Sequence, residues 1–361
     1  MKNKSSPRFS NILIRVPNWL GDTMMSTPTV TTVRRLFPKA KLTILGKAVF
    51  TDFWKSFPGV NQFIPYEKGL GGFARNISRL KAEKFDAALI LPTSFSSAFA
   101  AFAAEIPTRI GWSGEGRDLF LTNRVSRTHP REKHLVLEYL ELARKGFEVS
   151  TLPDKKVKLQ CAVTSDAQRG LKRVWEDTGV HGKTFIALGP GATYGEAKRW
   201  PLPYWQALIK KLLAERRESL LILGGMEEEA YLKPLVEGLS AKDSKRLHLL
   251  AGRTNPMILA AMLSRCKILV TNDTGPMHVA AAVGTPVVAL FGSTSPTWTR
   301  PFGAGHEVIY HQVECSPCFQ RTCPIGYICL NKISVGEVYQ AVQRQLKKPH
   351  KVQPEKVPTA I

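Results

Sequence analysis

Residues 267–291 read KILVTNDTGPMHVAAAVGTPVVALF. An uncharged run, ILVT, meets the turn-forming set Asn272-Asp273-Thr274-Gly275. A small-residue helical pattern follows, and Gly284 and Pro286 then lead into a second apolar run, VVALF. Continuous apolar runs, rather than alternating ones, mark strands buried on both faces. Two such strands joined by a helix are parallel, because the chain must cross over to start the second in the same direction. The class is therefore α/β with a parallel sheet.

The same rhythm extends outward in both directions. Residues 165–178 read as a helix, 184–188 as a strand ending in Gly189-Pro190-Gly191, and 202–218 as a helix. A strand over 220–223 enters Gly224-Gly225, and 255–264 reads as a helix. Nearer the N-terminus, 11–16 (NILIRV), 41–46 and 85–91 are strand-like, whereas 22–37 and 135–147 are helical. Two such series predict two Rossmann-like, doubly wound parallel-sheet domains facing across a cleft. The polar stretch 150–166 suggests boundaries of 1–165 and 166–346. Residues 347–361, with Pro349, Pro354 and Pro358 among charges, are expected to be a disordered tail.

Composition narrows the function. The chain has 361 residues, 43% hydrophobic and 22% charged, which excludes a disordered or fibrous protein. Lys and Arg number 51 against 29 Asp and Glu, a net charge of +22. Such an excess points to nucleic acid, an anionic membrane surface or a phosphorylated substrate, or simply to a basic protein with solvated faces. Residues 1–175 carry 29 − 14 = +15, and the remainder carries 22 − 15 = +7. The uncharged stretch 87–104 is interrupted by Pro92, Thr93, Ser94, Ser96 and Ser97, so it reads as a strand, a turn and a packed helix rather than a membrane span. Arg15 and Pro17 break the N-terminal apolar run, so no secretory leader is expected and the location reads as cytoplasmic.

Ligands of open α/β sheets bind at the carboxyl ends of the strands. After the first strand comes Pro17-Asn18-Trp19-Leu20-Gly21-Asp22. Asp22 stands at the expected helix N-cap and has two readings: a cap, or a carboxylate that takes a proton from a hydroxyl. A helix N-terminus favours the charged form that a base needs. No G-x-G-x-x-G follows this strand and no P-loop occurs anywhere, which argues against NAD and P-loop chemistry. The loop 189–201 combines three glycines with Thr193, Lys198 and Arg199, the ingredients of a phosphate site or of an ordinary Gly/Pro turn. Glu227, Glu228 and Glu229 follow the next strand; such acids bind ribose hydroxyls or merely enrich a first helical turn. At 272–278, Asp273 and Thr274 precede a helix whose first N–H groups can meet an anion, and His278 lies one turn further on.

Four of the six cysteines follow the spacing C-x2-C-x4-C-x5-C at Cys315, Cys318, Cys323 and Cys329. That spacing fits a tetrahedral structural Zn²⁺; reduced thiols are the alternative. The segment is expected to lie away from the loops above and to have no catalytic role.

Together, VPNWLGDTMMSTP, PGATYGEAKRWP, DTGPMHVAAAVGTPVVALFGSTSP and CSPCFQRTCPIGYIC resemble the ADP-heptose:lipopolysaccharide heptosyltransferases of glycosyltransferase family 9, the heptosyltransferase II branch above all. The resemblance spans nearly all of residues 11–345. It implies a GT-B fold with the acceptor on the N-terminal domain and the donor on the C-terminal one. It also implies an inverting, metal-independent transfer of L-glycero-D-manno-heptose from ADP-heptose to the first heptose of heptosyl-Kdo2-lipid A, with no cofactor. By motif position Asp22 corresponds to the catalytic base. Lys198 corresponds to the lysine on the donor phosphates, with Thr193 or Tyr194 beside it; Tyr194 stands where some relatives have threonine. Glu228 or Glu227 matches the ribose carboxylate, and Asp273, Thr274, Gly275 and His278 match the loop that holds the donor's heptose and diphosphate. The acceptor-side candidates are Asn18, Arg109, Arg117 and Arg124. The stretch containing Arg109, Arg117, Arg124, Arg127, Arg131 and Lys133, with Trp112 and Phe120, is the expected surface toward anionic lipid. The implied place is the cytoplasmic face of the inner membrane of a Gram-negative bacterium, held peripherally. Competing readings are a heptosyltransferase for another core position, a sugar-nucleotide epimerase, which would need further catalytic carboxylates and a histidine, and a nucleic-acid-binding protein, for which no basic and aromatic module is found.

Overall fold

The computed structural model describes residues 9–153, 157–182 and 184–348. Residues 1–8, part of the N-terminal stretch read for a leader, lie outside these. So does the proposed tail, apart from Lys347 and Lys348. The chain divides into two compact units, 1–162 and 163–361.

Unit 1 holds a six-stranded sheet in the order β3-β2-β1-β4-β5-β6. The strands are β1 (Asn11–Arg15), β2 (Lys41–Lys47), β3 (Gln62–Tyr66), β4 (Ala87–Ile90), β5 (Thr108–Trp112) and β6 (Asn123–Val125). Unit 2 holds β7 (Phe185–Gly189), β8 (Ser219–Ile222), β9 (Leu247–Leu249), β10 (Cys266–Asn272), β11 (Val287–Phe291) and β12 (Glu307–Tyr310), in the order β12-β11-β10-β7-β8-β9. Every pairing in both sheets is parallel. Each unit therefore has the doubly wound arrangement, with its order reversing between the first and fourth strands. Those reversals place the loops after β1 and β4, and after β7 and β10, where ligands bind such sheets.

The central strands are apolar because helices cover both faces. Residues 12–14 of β1, all of β7 and all of β11 are buried. Trp200, Trp205, Leu208, Leu212 and Ile222 pack in the core of unit 2 with Val338 and Val342 from the helix Val335–Lys347. Local signals set the helix ends. Thr164 caps Ser165–Thr178 by accepting from the N–H of Ala167, and Gly179 ends it at φ 64°, a conformation suited to glycine.

The edge strands β3, β6, β9 and β12, and β5 next to the edge, carry no long apolar run and were not expected from sequence. The helix expected over 202–218 ends at Glu215, because Arg216 turns extended and Glu218 enters the sheet interior. Buried there, Glu218 meets Arg216 at 2.9 Å and Lys267 at 3.0 Å. Burial disfavours its ionisation, but the hydrogen bonds from Arg216 and Lys267 outweigh burial and hold the carboxyl down at about 2. A depressed carboxyl stabilises the fold fully above its unfolded value near 4.5, and that contribution is lost as pH falls toward 2. Glu218→Gln should therefore lower the melting temperature at pH 7 and converge with wild type near pH 2. An equal deficit at both pH values would contradict this ionic role.

Candidate active site

In unit 2 the site assembles from the ends of β7, β8, β10 and β11. Asn272, the last residue of β10, is fully buried and clamps the loop after β7. Its amide donates to the Pro190 carbonyl at 2.7 Å, and its Oδ1 accepts from the N–H of Trp200 at 3.1 Å. Asp273 follows, 4% exposed. Its Oδ2 accepts from Lys198 Nζ at 2.6 Å and from Thr294 Oγ1 at 2.7 Å, and Thr299 Oγ1 reaches Oδ1 at 3.5 Å. One carboxylate thus joins the loops after β7, β10 and β11.

Thr274 is the N-cap of the helix Gly275–Val283, and Pro276 occupies a first-turn position where no intrahelical N–H bond is lost. His278 is buried within that helix, at 3% exposure. Lys198 ends a short 3-10 turn, Glu196–Lys198, and its ammonium also lies 4.8 Å from the Tyr194 ring centre. Tyr194 donates its hydroxyl to the Phe319 carbonyl at 2.8 Å, so that hydroxyl is engaged within the protein. Thr193 is exposed.

Glu228 and Glu227 part company. Glu227 is exposed, whereas Glu228 is buried. One oxygen of Glu228 accepts from the N–H of Gly225 at 2.9 Å. The other has no hydrogen-bond partner and lies 3.9 Å from Arg199 Nη2. A side chain at Gly191 would displace that carboxylate, so glycine there leaves Glu228 room in its present position. Arg199 stacks on the Tyr231 ring at 4.3 Å. Asn272, Thr294 and Tyr231 were missed as site residues. The only hint of Thr294 was the polar run Ser293-Thr294-Ser295 after an apolar strand.

One expectation about the cysteine segment is corrected. It does not lie apart from the site: the Arg321 carbonyl accepts from the N–H of Ala197 at 2.9 Å, and the Arg321 guanidinium lies 5.2 Å from the Tyr194 ring centre. Among the described residues, no three His, Cys, Asp or Glu side chains gather where they could hold a metal. Cys315, Cys318, Cys323 and Cys329 are free thiols, exposed at Cys315 and buried at Cys329.

In unit 1, the helix after β1 starts at Leu20, with Trp19 as N-cap. Asp22 is therefore not the cap; it sits half-buried in the first turn. Its charge adds to burial in pushing the Tyr139 phenol well above its ordinary value. A cavity of about 60 Å³ opens at the ends of β1 to β4, lined by Arg15, Asn18, Tyr66, Ser94, Ser96 and Ser97 among others. Arg15 is 5% exposed, donates to Asn18 Oδ1 at 2.8 Å, and has no carboxylate partner among the described residues. Burial lowers its guanidinium to about 10.

The stretch from Arg109 to Lys133 does not form the continuous basic surface expected. Arg117 and Trp112 are buried, at 1% and 3% exposure. Arg117 donates to the Pro92 carbonyl at 2.6 Å. Arg127 is paired with Glu138, and Lys133 with Glu141. Arg109 and Phe120 remain half-buried, and Arg124 is exposed.

No helix among the described residues is long and apolar enough to cross a membrane.

Comparison with known proteins agrees with this architecture. The sequence model of glycosyltransferase family 9 (heptosyltransferase) matches residues 73–328. Lipopolysaccharide heptosyltransferase 2 of Salmonella typhimurium is 33% identical over 316 residues, covering 84% of this chain and 90% of the relative. Lipopolysaccharide heptosyltransferase 2 of Escherichia coli K12 matches at the same identity and coverage. The solved structure of E. coli ADP-heptose LPS heptosyltransferase II aligns with a TM-score of 0.78 at 27% identity, covering 93% of this chain and 98% of that one. The two parallel-sheet units are those of the GT-B fold. The chain belongs to glycosyltransferase family 9, the heptosyltransferase family.

Proposed function

We propose that this protein is an inverting, metal-independent glycosyltransferase. It moves L-glycero-D-manno-heptose from ADP-heptose to the first heptose of heptosyl-Kdo2-lipid A. Similarity to heptosyltransferase 2 over most of both chains supports that step over other core positions. The observation that carries the chemistry is the hub made by Lys198, Asp273 and Thr294 at the head of the helix Gly275–Val283. A cation, two hydroxyl-bearing residues and a helix N-terminus converge there, a set suited to a diphosphate.

The roles follow from that placement. Residues 163–348 bind the donor. Lys198 neutralises the diphosphate while Asp273 fixes the lysine's position, and Thr274, Gly275 and the helix N-terminus face the same charge. Glu228 rather than Glu227 takes the ribose, because it is the buried carboxylate with an oxygen lacking a hydrogen bond. Tyr194 and His278 shape the pocket more than they bind, since the tyrosine hydroxyl is spent on Phe319 and the histidine is buried. Residues 1–162 take the acceptor, with Asn18, the Arg15 cavity, Arg109 and Arg124 as its contacts and Asp22 as the base.

Asp22 accepts the proton of the acceptor hydroxyl as its oxygen bonds to the anomeric carbon. The bond to ADP breaks, and ADP leaves with the electron pair. One displacement inverts the configuration. The growing negative charge on ADP falls on Lys198 and the helix N-terminus, so these groups bind the transition state more strongly than the ground state. We place the enzyme at the cytoplasmic face of the inner membrane, held peripherally, where a lipid-linked acceptor is presented.

Two substitutions separate these roles. Asp22→Asn should lower the turnover rate by about 10²–10⁴-fold, with ADP-heptose binding nearly unchanged. A variant retaining more than about a tenth of the wild-type rate would show that Asp22 is not the base. Lys198→Ala should weaken ADP binding by roughly 10–100-fold in calorimetry, the worth of a charge-assisted hydrogen bond. Unchanged ADP affinity would remove Lys198 from the phosphate site.

A further inference from the structure

The helix Phe95–Ala103, FSSAFAAFA, is built inside out. It buries Ala98, Ala100 and Ala101 against its own unit. Its largest side chains turn outward instead, with Phe95 50% exposed and Phe102 45% exposed. Phe95, Phe99 and Phe102 recur at the spacing of one helical face. That face continues across neighbouring segments. Phe99 stacks on Phe73 of the helix Gly69–Ala82 at 6.1 Å and on Phe95 at 6.2 Å. Phe120 meets Phe95, Phe99 and Phe102 edge-on or tilted, at 5.0–5.3 Å. Leu70 and Leu119 flank the rings, at 94% and 85% exposure. A water-facing surface gains nothing from five phenylalanines and two leucines; contiguous apolar patches of this kind mark a partner.

The charges around the patch name the partner. Arg109 lies 5.5 Å from the Phe102 ring centre and donates to the Phe120 carbonyl at 2.6 Å. Neither Arg109 nor the exposed Lys68 at the head of the Gly69–Ala82 helix has a carboxylate partner among the described residues. Two of the nearby acids are engaged: Glu105 pairs with Lys81, and Asp118 accepts from the N–H of Gly114 at 3.1 Å; Glu115 is exposed. Unit 1 as a whole carries 26 − 13 = +13. Aromatic rings beside unpaired cations suit a bilayer interface, where rings sit at headgroup depth and cations meet phosphates.

We propose that this face, formed by Phe73, Phe95, Phe99, Phe102 and Phe120 with Leu70 and Leu119, docks unit 1 onto an anionic lipid bilayer. The proposal rests on the reading of a lipid-linked acceptor and specifies the surface that brings the enzyme to it. The cavity lined by Ser94, Ser96, Ser97 and Ala100 lies against the same helix, so one short helix adjoins both the cavity and the apolar face.

Vesicle flotation tests this. Wild-type protein should float with phosphatidylethanolamine–phosphatidylglycerol vesicles at low salt and far less with phosphatidylcholine alone. The triple substitution F95S/F102S/L119S should cut flotation by at least about tenfold. Its melting temperature and its heptose transfer to a deacylated acceptor should be unchanged. Flotation of the triple variant equal to wild type overturns the proposal. The pair F95W/F102W guards against misfolding: it should float as wild type does, with tryptophan emission shifting to the blue on vesicle addition, and no shift overturns the proposal. A wild-type dimer that the triple variant splits, without vesicle binding by either, assigns the face to a second copy and also overturns it. Wild-type flotation in a protein that transfers no heptose removes the assigned reaction and supports the docking face.

Discussion

The buried ion pair between Lys198 and Asp273, at 2.6 Å, is the contact on which the donor end of unit 2 depends. A carboxylate only 5% exposed is costly unless its lone pairs are filled. Lys198 fills one side, and Thr294 and Thr299 fill others. Lys198 comes from the loop after β7 and both threonines from the stretch after β11, so satisfying the one charge after β10 ties three strand-end loops together. Asn272 performs the matching task on the backbone of Pro190 and Trp200. The loop after β7, the proposed phosphate site, is thus organised by side chains about 75 residues away in sequence, before any ligand arrives.

That distance explains what sequence reading reached and what it missed. Uninterrupted apolar runs such as VVALF revealed the central strands, and Gly-rich or Asp-Thr-Gly breaks marked the loops that carry the site. Short edge strands such as Asn123–Val125 left no such trace, because half-buried residues follow no strong pattern. Asp22 looked like a cap because Gly21 precedes it, yet the helix starts at Leu20 and leaves the cap to Trp19. The basic stretch after Arg109 looked like a surface because charge counting cannot see that Arg117 bonds inward to Pro92 and Arg127 to Glu138. The cysteine spacing left metal and reduced thiols open and gave no sign that its neighbours Phe319 and Arg321 brace the Tyr194 loop through backbone carbonyls.

The net charge of +22 takes on a more specific meaning in this light. Divided at the structural boundary, it is +13 for residues 1–162 and +9 for the rest, a smaller contrast than a division by halves gives. Many of the basic side chains are paired locally, as at Arg75 and Arg79 on Glu67. The cations without a carboxylate matter more than the sum. Arg15 in its cavity and Arg109 on its aromatic face sit in unit 1, where the proposed acceptor brings phosphate and carboxylate groups.

The account stands or falls on the acceptor. The most direct measurement is transfer from ADP-heptose to two lipid acceptors, Kdo2-lipid A without heptose and the same molecule bearing one heptose, with product resolved by mass. The account predicts addition of a single heptose to the one-heptose acceptor and none to the heptose-free one. Product formed only on the heptose-free acceptor would contradict it.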